Sequence, residues 1–275
     1  MNTAGIVTVV EAQNLAEELK TDHCLLIQVT SLEVYQQAHL PGAVLVLPAE
    51  LVSGVPPASG RLPERDRLIT LFNRIGLTSA SKVVVYDDEG GGWAGRLGWT
   101  LDVIGHRNWR YLNGGLQAWA ATGLQMTQGQ PAPVVPSDNA NLVIDESPIA
   151  EIADVLAASA GTDTAIWDVR SIEEYLGQKQ TAARAGHIPG AVNYDWLLLK
   201  DPNNAQRLVE DLDDILTQLG IHADQSIITH CQTHHRSGLS YMVGRILGRN
   251  IRAYHGSWSE WGNREDTPIE NPAIG

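Results

Sequence analysis

The chain has 275 residues, 43% of them hydrophobic and 19% charged, which suits one large folded unit or two ordinary ones and excludes a disordered chain. A formal net charge of -13 sets a field that repels nucleic acid and anionic membranes, and no apolar run of membrane-spanning length occurs. Two cysteines, Cys24 and Cys231, exclude a disulfide framework and suit a reducing compartment, so a cytoplasmic protein that engages neither nucleic acid nor membrane is expected.

The start, Met1 to Val7, lacks the basic residues and apolar core of a leader. Thr8 with Glu11 three residues on has capping-box spacing, which predicts a helix there. An apolar strand-like run follows, Leu25-Leu26-Ile27-Gln28-Val29-Thr30, then Tyr35 and His39-Leu40-Pro41-Gly42-Ala43. Val83-Val84-Val85-Tyr86-Asp87 is a second strand, followed by the polar and Gly-rich Asp88 to Trp93. A helix-like stretch then stops at Gly105, and Tyr111 to Trp119 closes the half.

After this point the order of parts repeats. Gln128 to Ser137 is rich in proline, which donates nothing to a ladder or helix, and reads as an extended linker. The expected division is 1–127, linker 128–142, and 143–275. In the second half Ser147 is placed to cap a helix with Pro148 at its first position. Then come Ala165-Ile166-Trp167-Asp168-Val169-Arg170, Tyr175, and His187-Ile188-Pro189-Gly190-Ala191, with an insertion at about 177–185. Ser226-Ile227-Ile228-Thr229-His230 matches the strand ending at Asp87, and a helix-like stretch again stops at a glycine, Gly248. The last block, Ala253-Tyr254-His255-Gly256-Ser257-Trp258-Ser259-Glu260-Trp261, matches Tyr111 to Trp119.

Strands alternating with helices imply an α/β fold of two homologous domains, each a mainly parallel sheet with helices on both faces. In such sheets ligands bind beyond the carboxyl ends of the strands, here just after Asp87 and just after His230. After His230 stands Cys231, followed by Gln232, Thr233, His234, His235 and Arg236, with a helix starting near Ser237. Loop amides, a helix N-terminus, the Arg236 charge and partly charged histidines all favour a thiolate, so the Cys231 pKa is expected to be depressed. The bland reading is a small buried hydrophobe, which suits Cys24 better, since it only precedes a core strand. His230, Cys231, His234 and His235 are also of metal-ligand type, but their spacing fits no common structural zinc site, and no metal is expected.

These blocks resemble a known family, the tandem-domain rhodaneses, and most closely the bacterial type with the loop Cys-Gln-Thr-His-His-Arg. The resemblance implies a sulfurtransferase without metal or organic cofactor, with Cys231 catalytic and Gln232 to Arg236 as the substrate-binding loop. It implies a small anionic, thiosulfate-like sulfur donor, a cyanide or thiol acceptor, and leaves room for a protein sulfur acceptor. Asp168 and Arg170 border the loop in the family; the first is placed to accept from loop groups and the second to hold the donor, or both form a structural ion pair. Trp196 reads as a pocket wall or as core. Asp88 stands opposite Cys231, and a carboxylate cannot carry sulfur, so the first domain is expected to be catalytically silent. Thr233 stands where many members are basic and Glu174 where some have arginine; both lower the positive charge available to thiosulfate. Two rivals share the fold: a persulfide carrier or sensor, and a phosphatase, whose arginine belongs at position 237, here Ser.

Overall fold

The computed structural model describes residues 6–139 and 141–273; most of the leader reading at Met1 to Val7 therefore lies outside the described residues. The first half runs β1 (Thr8–Val10), α1 (Ala12–Glu18), β2 (Leu25–Val29), α2 (Leu32–Gln37), β3 (Val44–Val46), α3 (Arg65–Arg74), β4 (Val83–Asp87), α4 (Gly92–Val103), β5 (Trp109–Leu112) and α5 (Gly115–Ala121). The second runs β6 (Ile149–Ala150), α6 (Ile152–Ser159), β7 (Thr164–Asp168), α7 (Ile172–Tyr175), β8 (Val192–Asn193), β9 (Lys200–Asp201), β10 (Arg207–Leu208), α8 (Leu212–Gln218), β11 (Ser226–His230), α9 (Arg236–Ile246), β12 (Ile251–Tyr254) and α10 (Ser257–Trp261). The five-stranded sheets have the orders β1-β5-β4-β2-β3 and β6-β12-β11-β7-β8, the same topology twice, with every pairing parallel. β9 and β10 form a separate antiparallel pair within the second half.

Central strands of this kind are buried on both faces, so their sequences are near-continuous apolar runs, as in Val83-Val84-Val85-Tyr86. Two helices are buried nearly all round, α4 and α9, because each lies between its own sheet and the other half. They cross backbone to backbone at equivalent glycines. A Cβ on Gly95 would stand 2.2 Å from the Gly238 carbonyl oxygen, and one on Gly238 would stand 2.4 Å from the Arg96 nitrogen. Farther along the crossing, the fully buried Asp102 accepts from Trp109 Nε1 at 2.9 Å and from Tyr241 Oη at 2.8 Å, and pairs with Arg245. One apolar core runs through both halves as a result, from Val29 and Val85 to Ile227 and Leu239.

Both helix starts expected near the domain openings lie farther along the chain. Thr8 caps nothing; it opens β1 opposite Arg110, and α1 starts after Glu11. The Glu11 carboxylate instead accepts from Asn113 Nδ2 at 2.7 Å and from Arg207 Nε at 2.9 Å, tying the two halves together. Ser147 and Pro148 likewise precede a strand, β6, which pairs with β12. Helix α6 begins at Ile152, where Asp154 accepts from the Glu151 N–H at 2.8 Å. In each case a short edge strand took residues that local capping chemistry assigned to a helix. The expected stops at Gly105 and Gly248 are present, with φ of 77° and 67°.

Candidate active site

The Tyr-to-His motif proves to be a clip, repeated in both halves. Tyr35 stacks on His39 at 3.9 Å and donates to the Ala43 carbonyl; Tyr175 stacks on His187 at 3.7 Å and donates to the Ala191 carbonyl. Each histidine bonds its tyrosine's own carbonyl through Nδ1 at 2.8 Å. The motif thus fixes the chain after the first strand of each half and stands apart from the chemistry.

Cys231 leaves β11 and begins the loop that ends where α9 starts at Arg236. The loop turns through His234, held at φ 57°, a left-handed conformation that its equivalent in the first half meets with a glycine, Gly91. The last block of the sequence clamps this loop: Trp258 N–H donates to the Cys231 carbonyl and Ser259 N–H to the Gln232 carbonyl, both at 2.9 Å. Cys231 N–H in turn reaches Ser257 Oγ at 3.4 Å. The insertion after Tyr175 holds the loop from another side, since Thr181 bonds Gln232 twice, at 2.7 and 2.9 Å.

The Cys231 thiol is enclosed, with the residue 1% exposed. Burial pushes its pKa up; the Arg236 charge, the hydroxyl and amide of Ser237, and the His235 charge pull it down, and the balance lies below the ordinary thiol value. Ser237 Oγ donates to Sγ at 3.5 Å and is itself 2.8 Å from His234 Nδ1. From sequence Ser237 reads as the start of a helix and not as a partner of the sulfur. Its position in the first turn of α9 was legible, but its side-chain direction was not.

The loop histidines differ from one another. His234 is fully buried, edge-on to Trp99 at 4.6 Å, and burial together with the Arg96 charge holds it well below the usual histidine range. It is neutral near pH 7, contrary to the expectation of partial charge. His235 is half-buried, stacked on Trp93 at 4.4 Å, edge-on to Trp196, and paired with Glu89 of the first half. Trp196 also lies under Lys200 Nζ at 4.0 Å, so it walls the loop on the side of the inter-half contact. Each ring is thus committed to a different neighbour. Among the described residues no group of three or more histidine, cysteine or acidic side chains is placed to hold a metal ion.

Arg236 gives both Nη atoms to Glu174, at 2.6 and 3.0 Å, and burial of the pair leaves the Glu174 side chain 4% exposed. Burial raises the Glu174 pKa and Arg236 lowers it, with a lowered net value, so the carboxylate stays ionised. Glu174 therefore does more than subtract charge: it fixes the guanidinium over the loop. Thr233 is pressed from the first half by Gly60, where a Cβ would lie 1.9 Å from the Thr233 carbonyl oxygen.

Asp168 and Arg170 are both fully buried and face each other, with Nη2 on the carboxylate at 2.5 Å and Nε at 3.0 Å from both oxygens. Arg170 also reaches the Gly186 carbonyl at 2.9 Å and lies over Trp258 at 4.2 Å. The pair lies beneath the loop's clamp, within reach of His230, which is 3.7 Å from Asp168. Cys24 lies elsewhere, before β2, with Arg110 at 3.7 Å.

The comparable loop of the first half, Asp88 to Trp93, carries no thiol, and its amides turn to Asp87. The Asp87 carboxylate accepts from Gly90 N at 2.9 Å, Gly91 N at 2.8 Å, Ala94 N at 2.9 Å and Glu89 N at 3.2 Å. Asp88, the residue opposite Cys231, points away to Thr30 Oγ1 at 2.6 Å.

Comparison with known proteins agrees with the duplicated fold. The rhodanese-like domain is matched twice, over residues 11–122 and 151–264. A thiosulfate sulfurtransferase of Azotobacter vinelandii is 45% identical over 97% of this chain and 98% of its own length. One of Pseudomonas aeruginosa is 45% identical over 95% and 96%. Among solved structures, the anaerobic ergothioneine biosynthesis enzyme of Chlorobium limicola shares the fold with a TM-score of 0.81 and 21% identity, over 96% of this chain and 70% of that one. With two matched domains, a duplicated sheet topology and relatives aligned from end to end, the chain belongs to the rhodanese family.

Proposed function

We propose that the chain moves sulfane sulfur from thiosulfate or a related anionic donor to cyanide or a thiol, through a persulfide on Cys231. The observation that supports this most directly is the setting of one sulfur atom. Cys231 Sγ receives the hydroxyl and the amide of Ser237, stands near the Arg236 charge, and has a lowered pKa despite its burial. The thiolate attacks the outer sulfur of thiosulfate; a Cys231 S–S bond forms, the S–S bond of thiosulfate breaks, and its electron pair leaves with sulfite. Cyanide or a thiolate then attacks the terminal sulfur, Cys231 departs as a thiolate, and thiocyanate or a new persulfide leaves. The scheme needs neither metal nor organic cofactor.

In this reading Cys231 is the nucleophile and Gln232 to Arg236 form the cradle. Asp168 and Arg170 act from below as a buried pair that supports the loop; their complete burial argues against contact with the donor. The division that accompanies this reading is a silent domain over 1–127, a linker over 128–142 and a catalytic domain over 143–275. A cytoplasmic setting, where both thiols stay reduced, suits the chemistry; among the described residues no helix is long and apolar enough to cross a membrane. A phosphatase fits less well. Position 237 carries a serine whose hydroxyl meets Sγ, and Arg236 is bound to Glu174.

The test is mass spectrometry after exposure to thiosulfate. One added sulfur on the peptide bearing Cys231 is expected; sulfur on Cys24 alone, or none, overturns the assignment.

A further inference from the structure

The silent half carries a charged group that neither the repeat nor the cysteine loop explains. Arg96, in α4, is fully buried. Its Nη1 donates to the Gly60 carbonyl at 2.8 Å, and its Nη2 donates to the Leu51 carbonyl at 2.6 Å and the Arg61 carbonyl at 3.4 Å. Its Nε has no partner, and the guanidinium lies over Trp99 at 4.6 Å. All these partners are neutral; among the described residues no carboxylate forms an ion pair with it. A cation buried without an anion is costly, and single carbonyl dipoles offset that cost only in part.

Three separate contacts place Arg96, or a residue that its guanidinium touches, against the active loop or the first turn of α9. The Arg96 backbone touches the first turn of α9, where a Cβ on Gly238 would meet Arg96 N at 2.4 Å. Gly60, whose carbonyl holds Nη1, is the residue pressed on Thr233. Trp99, beneath the guanidinium, meets His234, and His234 leads through Ser237 to Sγ in contacts of 4.6, 2.8 and 3.5 Å.

We propose that Arg96 is a positioning residue whose counter-anion is the Cys231 thiolate, and after sulfur uptake the persulfide, so that the domain without a loop cysteine supplies part of the charge that activates the other domain's cysteine. The inference rests on the reading of Cys231 as the sulfur-bearing thiolate. The electrostatics run the same way: burial draws the Arg96 pKa down to about 9, and the Cys231 charge opposes that fall. The other charged groups near the sulfur are largely spoken for. Arg236 is paired with Glu174, and His235 with Glu89. Asp168 and Arg170 neutralise each other, while burial pulls down the pKa of His230, His234 and His255. The guanidinium of Arg96 is the cation among these that lacks a carboxylate.

The experiment is the rate of Cys231 alkylation by iodoacetamide against pH, read on the Cys231 peptide, in wild type, Arg96→Gln and Arg96→Lys. Removing the charge should raise the midpoint by about one pH unit, so that Arg96→Gln reacts roughly tenfold more slowly below both midpoints. The plateau rate at high pH should be unchanged, and Arg96→Lys should return the midpoint most of the way to wild type. An unmoved midpoint in Arg96→Gln overturns the proposal, as does an equal shift in both variants. A second measurement needs no variant at Arg96: in the intact chain its side-chain Nε resonance should titrate with the Cys231 midpoint and stop doing so in Cys231→Ser. A flat resonance overturns the proposal too. An ordinary thiol midpoint in wild type would instead sink the underlying reading of Cys231, whereas a low midpoint indifferent to Arg96→Gln would sink this inference alone.

Discussion

The loops after β4 and β11 begin from the same geometry and end with different contents. Each leaves a central parallel strand, turns through a left-handed residue, Gly91 or His234, and enters a helix that crosses its counterpart at Gly95 and Gly238. In the first, the last strand residue, Asp87, turns its carboxylate into the amides of its own loop. In the second, the equivalent strand residue is His230, and the anion at the loop, in the proposed function, is the thiolate of the next residue, Cys231. A nest of amides and a helix N-terminus favour a negative charge whatever its source. The first loop, which has no cysteine, is therefore not empty; the Asp87 carboxylate occupies it. Burial, with Glu89 after it, pushes the Asp87 pKa up to about 6, against the pull of those amides. The proposed silence of the first domain thus rests on more than the absence of a loop thiol.

Substitutions in and around the two loops put this contrast to the test. The largest effect is expected from Cys231→Ala, which should abolish thiosulfate-dependent thiocyanate formation, a loss of at least about a thousandfold in steady-state assay, as for removal of a nucleophile. Retained turnover would mean that the second loop is not the catalytic one. Grafting a thiol onto the first loop should do little. In an otherwise cysteine-free chain, Asp88→Cys should take up no sulfur from thiosulfate by mass, because Asp87 already occupies the amides; ready persulfide formation there would refute the occupied-nest account.

Smaller effects should come from the groups around the sulfur. Ser237→Ala removes the hydroxyl donor to Sγ, and a hydrogen bond to a charged group contributes about 1.5–3 kcal/mol. The Cys231 midpoint in an alkylation profile should therefore rise by roughly one to two pH units, and an unchanged profile would deny Ser237 its role. Glu174→Gln frees the Arg236 charge, so the thiosulfate concentration for half-maximal rate should fall several-fold; a rise would show that Glu174 matters more for holding Arg236 still. Cys24→Ala, remote from the loop, should leave turnover within about twofold, which a matched assay would check.

Much of the site was readable along the chain. The duplication, the strand ends, the helix stops at Gly105 and Gly248, and the place of Cys231 all depend on local patterns of apolar residues and glycine. The misread starts at Thr8 and Ser147 show where local chemistry loses: edge-strand pairing to β5 and β12 overrode capping. Arg236 looked like a free anion clamp because its partner, Glu174, lies far off in sequence. His234 looked partly charged because a loop position suggests solvent, and only the packing of Trp99 against it removed that solvent.

Local residue patterns are enough to show that two α/β units are present and that a thiol follows a buried strand in one of them, since strand and helix periods and a backbone turn are properties of neighbouring residues. Which charges that thiol feels was decided only in three dimensions. Ser237, Arg96 and the Asp87 carboxylate acquire their meaning from directions and distances between side chains, and Coulomb interactions across a buried interface depend on separation in space rather than along the chain.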